Sequence, residues 1–137
     1  MIIDAKNLII GRLASAVAKM ALLGEEVFII NAEQAVISGN KRDVFKKYRT
    51  QANRGEPFHG PFLPKMPDRL LKRIIRGMLP YKKYRGLVAF KKIKCYKGIP
   101  DEFKEKKIET VEIADVSRMQ NLKYVTLNDL CQHLKKR

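Results

Sequence analysis

Two apolar spacings alternate along the chain. Ile2-Ile3 is a short strand-like pair. After Gly11, Leu13, Ala14, Val17, Ala18 and Ala21 recur at the spacing of one helical face, with Gly24 as a stop. Val27 to Ile30 is an unbroken apolar run, the pattern of a strand buried on both faces in a parallel sheet. Ala35-Val36-Ile37-Ser38 reads as a weaker third strand ending in the turn Gly39-Asn40. Residues 41–49 read as a short helix that turns Val44, Phe45 and Tyr48 inward.

Periodicity then stops. Residues 50–67 carry Pro57, Pro61, Pro64 and Pro67 together with Gly55 and Gly60, the composition of a long irregular loop. Pro67-Asp68 starts a new helix over 68–79, in which Leu70, Leu71, Ile74, Ile75 and Met78 trace an apolar face until Pro80. A further helix is expected from Arg85 to Lys92 and a fourth strand over Ile93-Lys94-Cys95-Tyr96. Residues 101–112 mix charges and read as an exposed loop. Thr126-Leu127-Asn128-Asp129 resembles a capping box with Asp in the usual Glu position, opening a helix with Leu127, Leu130 and Leu134 on one face. Strands alternating with helices place the chain in the α/β class: a small, mainly parallel four-stranded sheet covered on both sides, plus the loop and a C-terminal helix. The 137 residues suit one domain, 1–137, with a mixed-charge extension over about 99–137.

Charge changes this picture, because 29 Lys and Arg face 14 Asp and Glu, a net charge of +15. Residues 1–40 are net −1 and residues 99–137 net +1, whereas residues 41–98 hold eighteen basic and three acidic groups, so the whole surplus lies in the middle. Such a surplus repels itself unless a polyanion neutralises it, and nucleic acid is the commonest one. No apolar run approaches the ~20 residues that span a bilayer. The opening residues lack the pattern of a signal peptide, which points to a soluble intracellular protein.

The basic residues fall on distinct elements. In helix 68–79, Arg69, Lys72, Arg73 and Arg76 share about 100° of arc opposite the apolar face. A solvated charged face is the plainer reading, but such faces usually mix signs. Lys41, Arg42, Lys46, Lys47 and Arg49 form a second cluster, and Arg54, His59 and Lys65 lie among the loop prolines. Lys82, Lys83 and Arg85 interleave with Tyr81 and Tyr84, and Lys91 and Lys92 follow at the end of the next helix. Cations meet phosphates. The two tyrosines fit stacking on bases and a half-buried core position equally well.

Enzymatic readings find little support. Gly11-Arg12-Leu13-Ala14-Ser15 has the outline of a phosphate-binding turn, but neither a dinucleotide nor a P-loop fingerprint is present. His59 and His133 stand 74 positions apart without a partner motif, and His133 is expected on the exposed side of the last helix. Cys95 and Cys131 sit in apolar patterns without zinc-site spacing, as buried free thiols in a reducing compartment do. No catalytic residue, metal site, cofactor or small-molecule substrate is assigned.

Several blocks together resemble a known family. Asp4-Ala5 with Gly11-Arg12-Leu13-Ala14-Ser15, Asn31-Ala32-Glu33 with Ser38-Gly39-Asn40-Lys41, Pro67-Asp68-Arg69 with Arg76-Gly77-Met78-Leu79-Pro80, and Asn121-Leu122-Lys123-Tyr124-Val125-Thr126-Leu127 occur in order and at the spacing of the ribosomal protein L-thirteen family. Tyr48-Arg49-Thr50-Gln51 departs from the Tyr-x-His-Ser-Gly stretch of bacterial members, and the proline-rich loop and short C-terminus point to the archaeal branch. The resemblance implies a three-layer α/β/α fold, binding to large-subunit rRNA, a role in subunit assembly and a neighbour such as ribosomal protein L-three. The resulting expectation is a cytoplasmic structural constituent of the large ribosomal subunit with no enzymatic activity and no membrane partner. An off-ribosome, RNA-binding translational regulator is the alternative.

Overall fold

The computed structural model describes residues 1–136; Arg137, the last residue of the expected extension, lies outside the described residues. Three strands form a parallel sheet: β1 (Ile2–Asp4), β2 (Val27–Ile30) and β4 (Ile93–Cys95), in the order β1-β2-β4. The unbroken apolar run is the central strand, because only a strand paired on both edges and covered on both faces must be apolar at every position. Helix α1 (Ile10–Leu22) connects the first two strands. Helices α2 (Lys41–Ala52), α3 (Pro67–Gly77) and α4 (Tyr84–Lys91) lie between β2 and β4.

The expected third strand, Ala35–Ser38, does not join this sheet. Asn31 leaves β2 in the left-handed region (φ 53°) and a 3-10 turn over Ala32–Gln34 redirects the chain. Residues Val36–Ser38 (β3) therefore pair antiparallel with Tyr124–Thr126 (β5) in a separate two-stranded sheet. The free edge of β1 is met instead by Glu109, within the stretch expected to be an exposed loop. The Glu109 amide donates to the Ile2 carbonyl at 2.9 Å, and the Asp4 amide donates to the Glu109 carbonyl at 3.1 Å.

The crossovers β1-α1-β2 and β2-α2-α3-α4-β4 step in the same direction across the sheet, so a common right-handed sense puts their helices on one face. Leu13 and Val17 of α1, Leu71 and Ile75 of α3 and Ala89 of α4 indeed share one core with Ile3, Val27, Ile29 and Ile93. The return from β4 to Glu109 crosses the other face. There Ile2 and Ile30 are covered by Phe103, whose ring lies 5.2 Å from Phe28 and 5.5 Å from Tyr96. The sheet is covered on both sides, but the second cover is a 3-10 turn (Asp101–Phe103) where a helical layer was expected.

Helix α5 (Leu127–Lys135) starts as its capping pattern predicts, with the Asp129 amide donating to the Thr126 hydroxyl at 3.2 Å. Its Leu127, Leu130, Cys131 and Leu134 are buried. His133 is not on an open face: it is half-buried and stacks on Phe45 of α2 at 4.2 Å. Cys131 is buried but Cys95 only half so, and Met78, placed with the apolar face of α3 from its spacing, is exposed beyond the end of the helix.

The carboxyl ends of parallel strands form the usual ligand crevice of an α/β fold. Here the chain ties them together. Asn31 donates through Nδ2 to Asp4 at 3.0 Å, the Asn31 amide donates to the Gly98 carbonyl at 3.0 Å, and the Gly98 amide donates to Glu33 at 3.0 Å.

Candidate RNA interface

Helix α2 buries Val44 and packs Phe45 and Tyr48 against the core, so periodicity forces Lys41, Arg42, Lys46, Lys47 and Arg49 outward, and all five are exposed. Burial of the Tyr48 ring pushes its phenol above the ordinary range. The helix runs one turn further than expected, to Ala52, which packs on the core, and this shortens the irregular loop to residues 53–66.

That loop is built, not slack. The Gly60 amide donates to the Glu56 carbonyl at 2.9 Å, and a Cβ on Gly55 (φ +83°) would lie 2.1 Å from the Gly60 carbonyl oxygen. The neck therefore closes only around a residue without a side chain. Leu63 packs on the core, and Arg73 of α3 donates to the Phe62 carbonyl. Arg54, His59 and Lys65 are exposed, as are two aromatics that the charge-based reading passed over: Phe58 at 87% and Phe62 at 66%. Their signal was present as aromatic residues between prolines in a basic loop.

The stripe on α3 divides. Pro67, Leu70, Leu71 and Ile75 are buried, which turns Arg69 and Arg76 fully outward. Lys72 and Arg73 are half-buried. Lys72 reaches to 5.0 Å from the Phe90 ring, and Arg73 holds the loop. Arg76 lies 5.2 Å over the Tyr81 ring. Both tyrosines of the following turn are exposed, Tyr84 most of all, so neither is a core residue. Lys82, Lys83 and Arg85 stand beside them in solvent. The turn is tight because a Cβ on Gly86 would lie 2.1 Å from the Pro80 carbonyl oxygen. Lys91 is exposed. Lys92 is not an open cation: its Nζ donates to the Gly24 carbonyl at 2.7 Å, closing the end of α1.

Two depressions bring parts of this set together. Arg49, Arg54 and Lys65 line an open hollow of about 700 Å³ with Glu56 and with Lys136, which the C-terminal helix delivers and no sequence pattern announced. Lys46, Lys47 and Arg54 line a second, of about 450 Å³, with Asp43. Among the described residues the one ion pair is Lys104 with Asp101, so nothing in 41–98 neutralises the basic groups by direct contact. The thiols offer no nucleophile. Burial pushes Cys95 up to about 12, with Lys72 pulling down and Asp68 pushing up, and burial likewise pushes Cys131 up to about 11.

The family model for ribosomal protein L13 matches residues 1–102. The chain belongs to the ribosomal protein L13 family. It is similar to the large ribosomal subunit protein uL13 of Methanococcoides burtonii, 51% identical over 97% of this chain and 96% of that protein. The uL13 of Methanosarcina barkeri is 48% identical over 97% and 96%, and that of Archaeoglobus fulgidus 40% identical over 97% and 86%. Archaeal L13 relatives thus span almost the whole chain, as the block resemblance implied. Membership of a ribosomal-protein family also sets aside the enzyme reading of the Gly11–Ser15 turn. The L13 match contains the parallel sheet, α1 to α4 and all of the basic stretch. Two of the blocks that carry the resemblance have a direct structural reason: Asp4, Asn31 and Glu33 hold the strand ends together.

Proposed function

We propose that this L13-family chain is a cytoplasmic structural constituent of the large ribosomal subunit that binds large-subunit rRNA and supports subunit assembly. The observation that carries the reading is the unneutralised basic surface of residues 41–98, presented on α2, the closed loop, α3, the Tyr81–Lys83 turn and the start of α4. Lys and Arg there displace counterions from packed phosphates, which positions the protein. Selectivity comes from the fit of a pre-shaped surface to one folded RNA site, with Phe58 and Tyr84 available for stacking on unpaired bases. Lys41, Arg42, Lys46, Lys47, Arg49, Arg54, His59, Lys65, Arg69, Arg76, Lys82, Lys83, Arg85 and Lys91 are the proposed contacts. Lys72 contributes from the edge, and Arg73 and Lys92 act through the fold.

Residues 1–137 act as one ribosomal-protein domain in this reading. The family resemblance further implies a neighbouring protein, such as ribosomal protein L-three. No described helix is long and apolar enough to cross a membrane.

The test is sedimentation of a cell lysate in a high-salt sucrose gradient. Stoichiometric recovery with the large subunit is expected. Recovery near the top of the gradient would overturn the reading in favour of a regulator that acts away from the ribosome.

A further inference from the structure

The ends of the chain carry almost no net charge, yet the fold gathers three of their cations into one place. Arg12, from the start of α1, and Arg118 and Lys123, from the segment before β5, line an open cleft of about 540 Å³ with Ser38, Asn40 and Asn121. No carboxylate lines it. Asp115, three positions before Arg118, accepts the Ser117 amide at 2.8 Å and makes no ion pair among the described residues.

The cations stand on a fixed frame. The Gly39 amide donates to the Lys123 carbonyl at 2.8 Å, and Ser38 pairs with Tyr124 in the small sheet. The Val116 amide donates to the Asn7 carbonyl at 3.1 Å, which binds the turn bearing Arg118 to the start of the chain. Arg12 spends one guanidinium donor on the Ile113 carbonyl at 3.3 Å and keeps the rest. Asn40 also directly precedes α2, whose first two residues are Lys41 and Arg42.

We infer that this cleft is a second phosphate-binding site, which takes a turn of the large-subunit rRNA backbone with the cations of both chain ends. The inference rests on the rRNA-binding reading above. Three cations delivered by separate segments across an open cleft suit successive phosphates of a folded strand better than one small anion. The serine and amide side chains between them can donate to and accept from ribose 2′-hydroxyls.

The experiment compares the full chain with R118E/K123E, the charge-preserving R118K/K123R and, from the basic surface, R69E/R76E. Each is titrated with purified archaeal large-subunit rRNA over a range of KCl concentrations. Arg118 and Lys123 are both exposed, and thermal unfolding confirms that each variant folds. R118E/K123E is expected to bind about tenfold more weakly, with a salt slope shallower by about 1.4 to 1.8, the contribution of two phosphates, while R118K/K123R behaves as the native chain. If R118E/K123E binds like the native chain while R69E/R76E is impaired, the cleft is not an RNA site, and the proposed function survives without it. If R118E/K123E keeps its rRNA affinity but no longer incorporates into subunits, the cleft holds a neighbouring protein and the inference is wrong. Failure of the native chain itself to bind rRNA would overturn both readings.

Discussion

Helices α1 and α3 lie side by side on the same face of the sheet and are nearly equivalent on their inner sides. Leu13, Ala14 and Val17 of one and Leu71 and Ile75 of the other are fully buried in the same core. Their outer sides differ. On α1, the outward positions Arg12, Ser15 and Lys19 carry only two cations, seven positions apart. On α3, Arg69, Lys72, Arg73 and Arg76 stand three and four positions apart, the spacing at which like charges repel by roughly 0.2–0.5 kcal/mol per pair. Folding needs the inner sides of both helices, and from the outer stripe of α3 it uses chiefly Arg73, which holds the loop. Like charges that oppose helix stability and meet no carboxylate among the described residues are best explained by a polyanion outside the chain. The same comparison sorts the basic residues into those that serve the fold, such as Arg73 and Lys92, and those left for a polyanion, such as Arg69 and Arg76.

The largest effects are expected on the shared core. Leu13→Ala and Leu71→Ala should each lower the unfolding free energy by about 2–5 kcal/mol in a urea titration. A loss below about 1 kcal/mol at either site would show that the two helices do not share the core equally. Next comes the outer stripe. R69E/R76E should weaken rRNA binding by about 1.4–2.7 kcal/mol, ten- to a hundredfold, with the salt slope shallower by about 1.4 to 1.8. Its midpoint in urea should move little, because exposed charges contribute ~1 kcal/mol or less. Unchanged binding would mean that another face meets the RNA.

Lys92→Ala separates the two classes of cation most directly. It removes a donor from the end of α1 and is expected to cost about 0.5–1.5 kcal/mol of stability while rRNA affinity stays within about twofold. The opposite result would return Lys92 to the RNA-binding set. The smallest expected change is no change at all. Because burial raises both thiols, Cys95 and Cys131 remain protonated at pH 8, their thiolates appearing only near their raised pKa values. Native protein should resist Ellman's reagent at that pH, and both thiols should react once urea unfolds the chain. Rapid labelling of native Cys131 would show that α5 detaches from α2 and α3.

Much of the fold was legible in the spacing of apolar residues, because one helical face or one doubly buried strand requires a repeat that survives in the sequence. Val27–Ile30, the inner faces of α1 and α3 and the Thr126 cap are of this kind. The three-residue strands β3 and β5 are too short to show alternation, and a lone backbone pairing such as Ile3 with Glu109 leaves no side-chain signature. For the same reason the assignment of Ala35–Ser38 to the main sheet failed, and the pairing of Glu109 within the 101–112 loop left no trace in the sequence. At the candidate interface the outward position of the α2 cations followed from periodicity alone. The use of Arg73 on the loop and Lys92 on α1 did not, since both partners are backbone carbonyls, which every residue offers.

By itself, then, the sequence determined the α/β class, the family and the concentration of positive charge in residues 41–98, because each is written in local spacing or composition. Only the tertiary structure decided which cations are free, that the loop is closed at Gly55 and Gly60, that Phe103 covers the second face of the sheet, and that Arg12, Arg118 and Lys123 share one cleft. Those outcomes depend on contacts between residues remote in the chain. Such contacts are selected by the packing of the whole core, and the groups that make them carry no mark of their partner in the sequence.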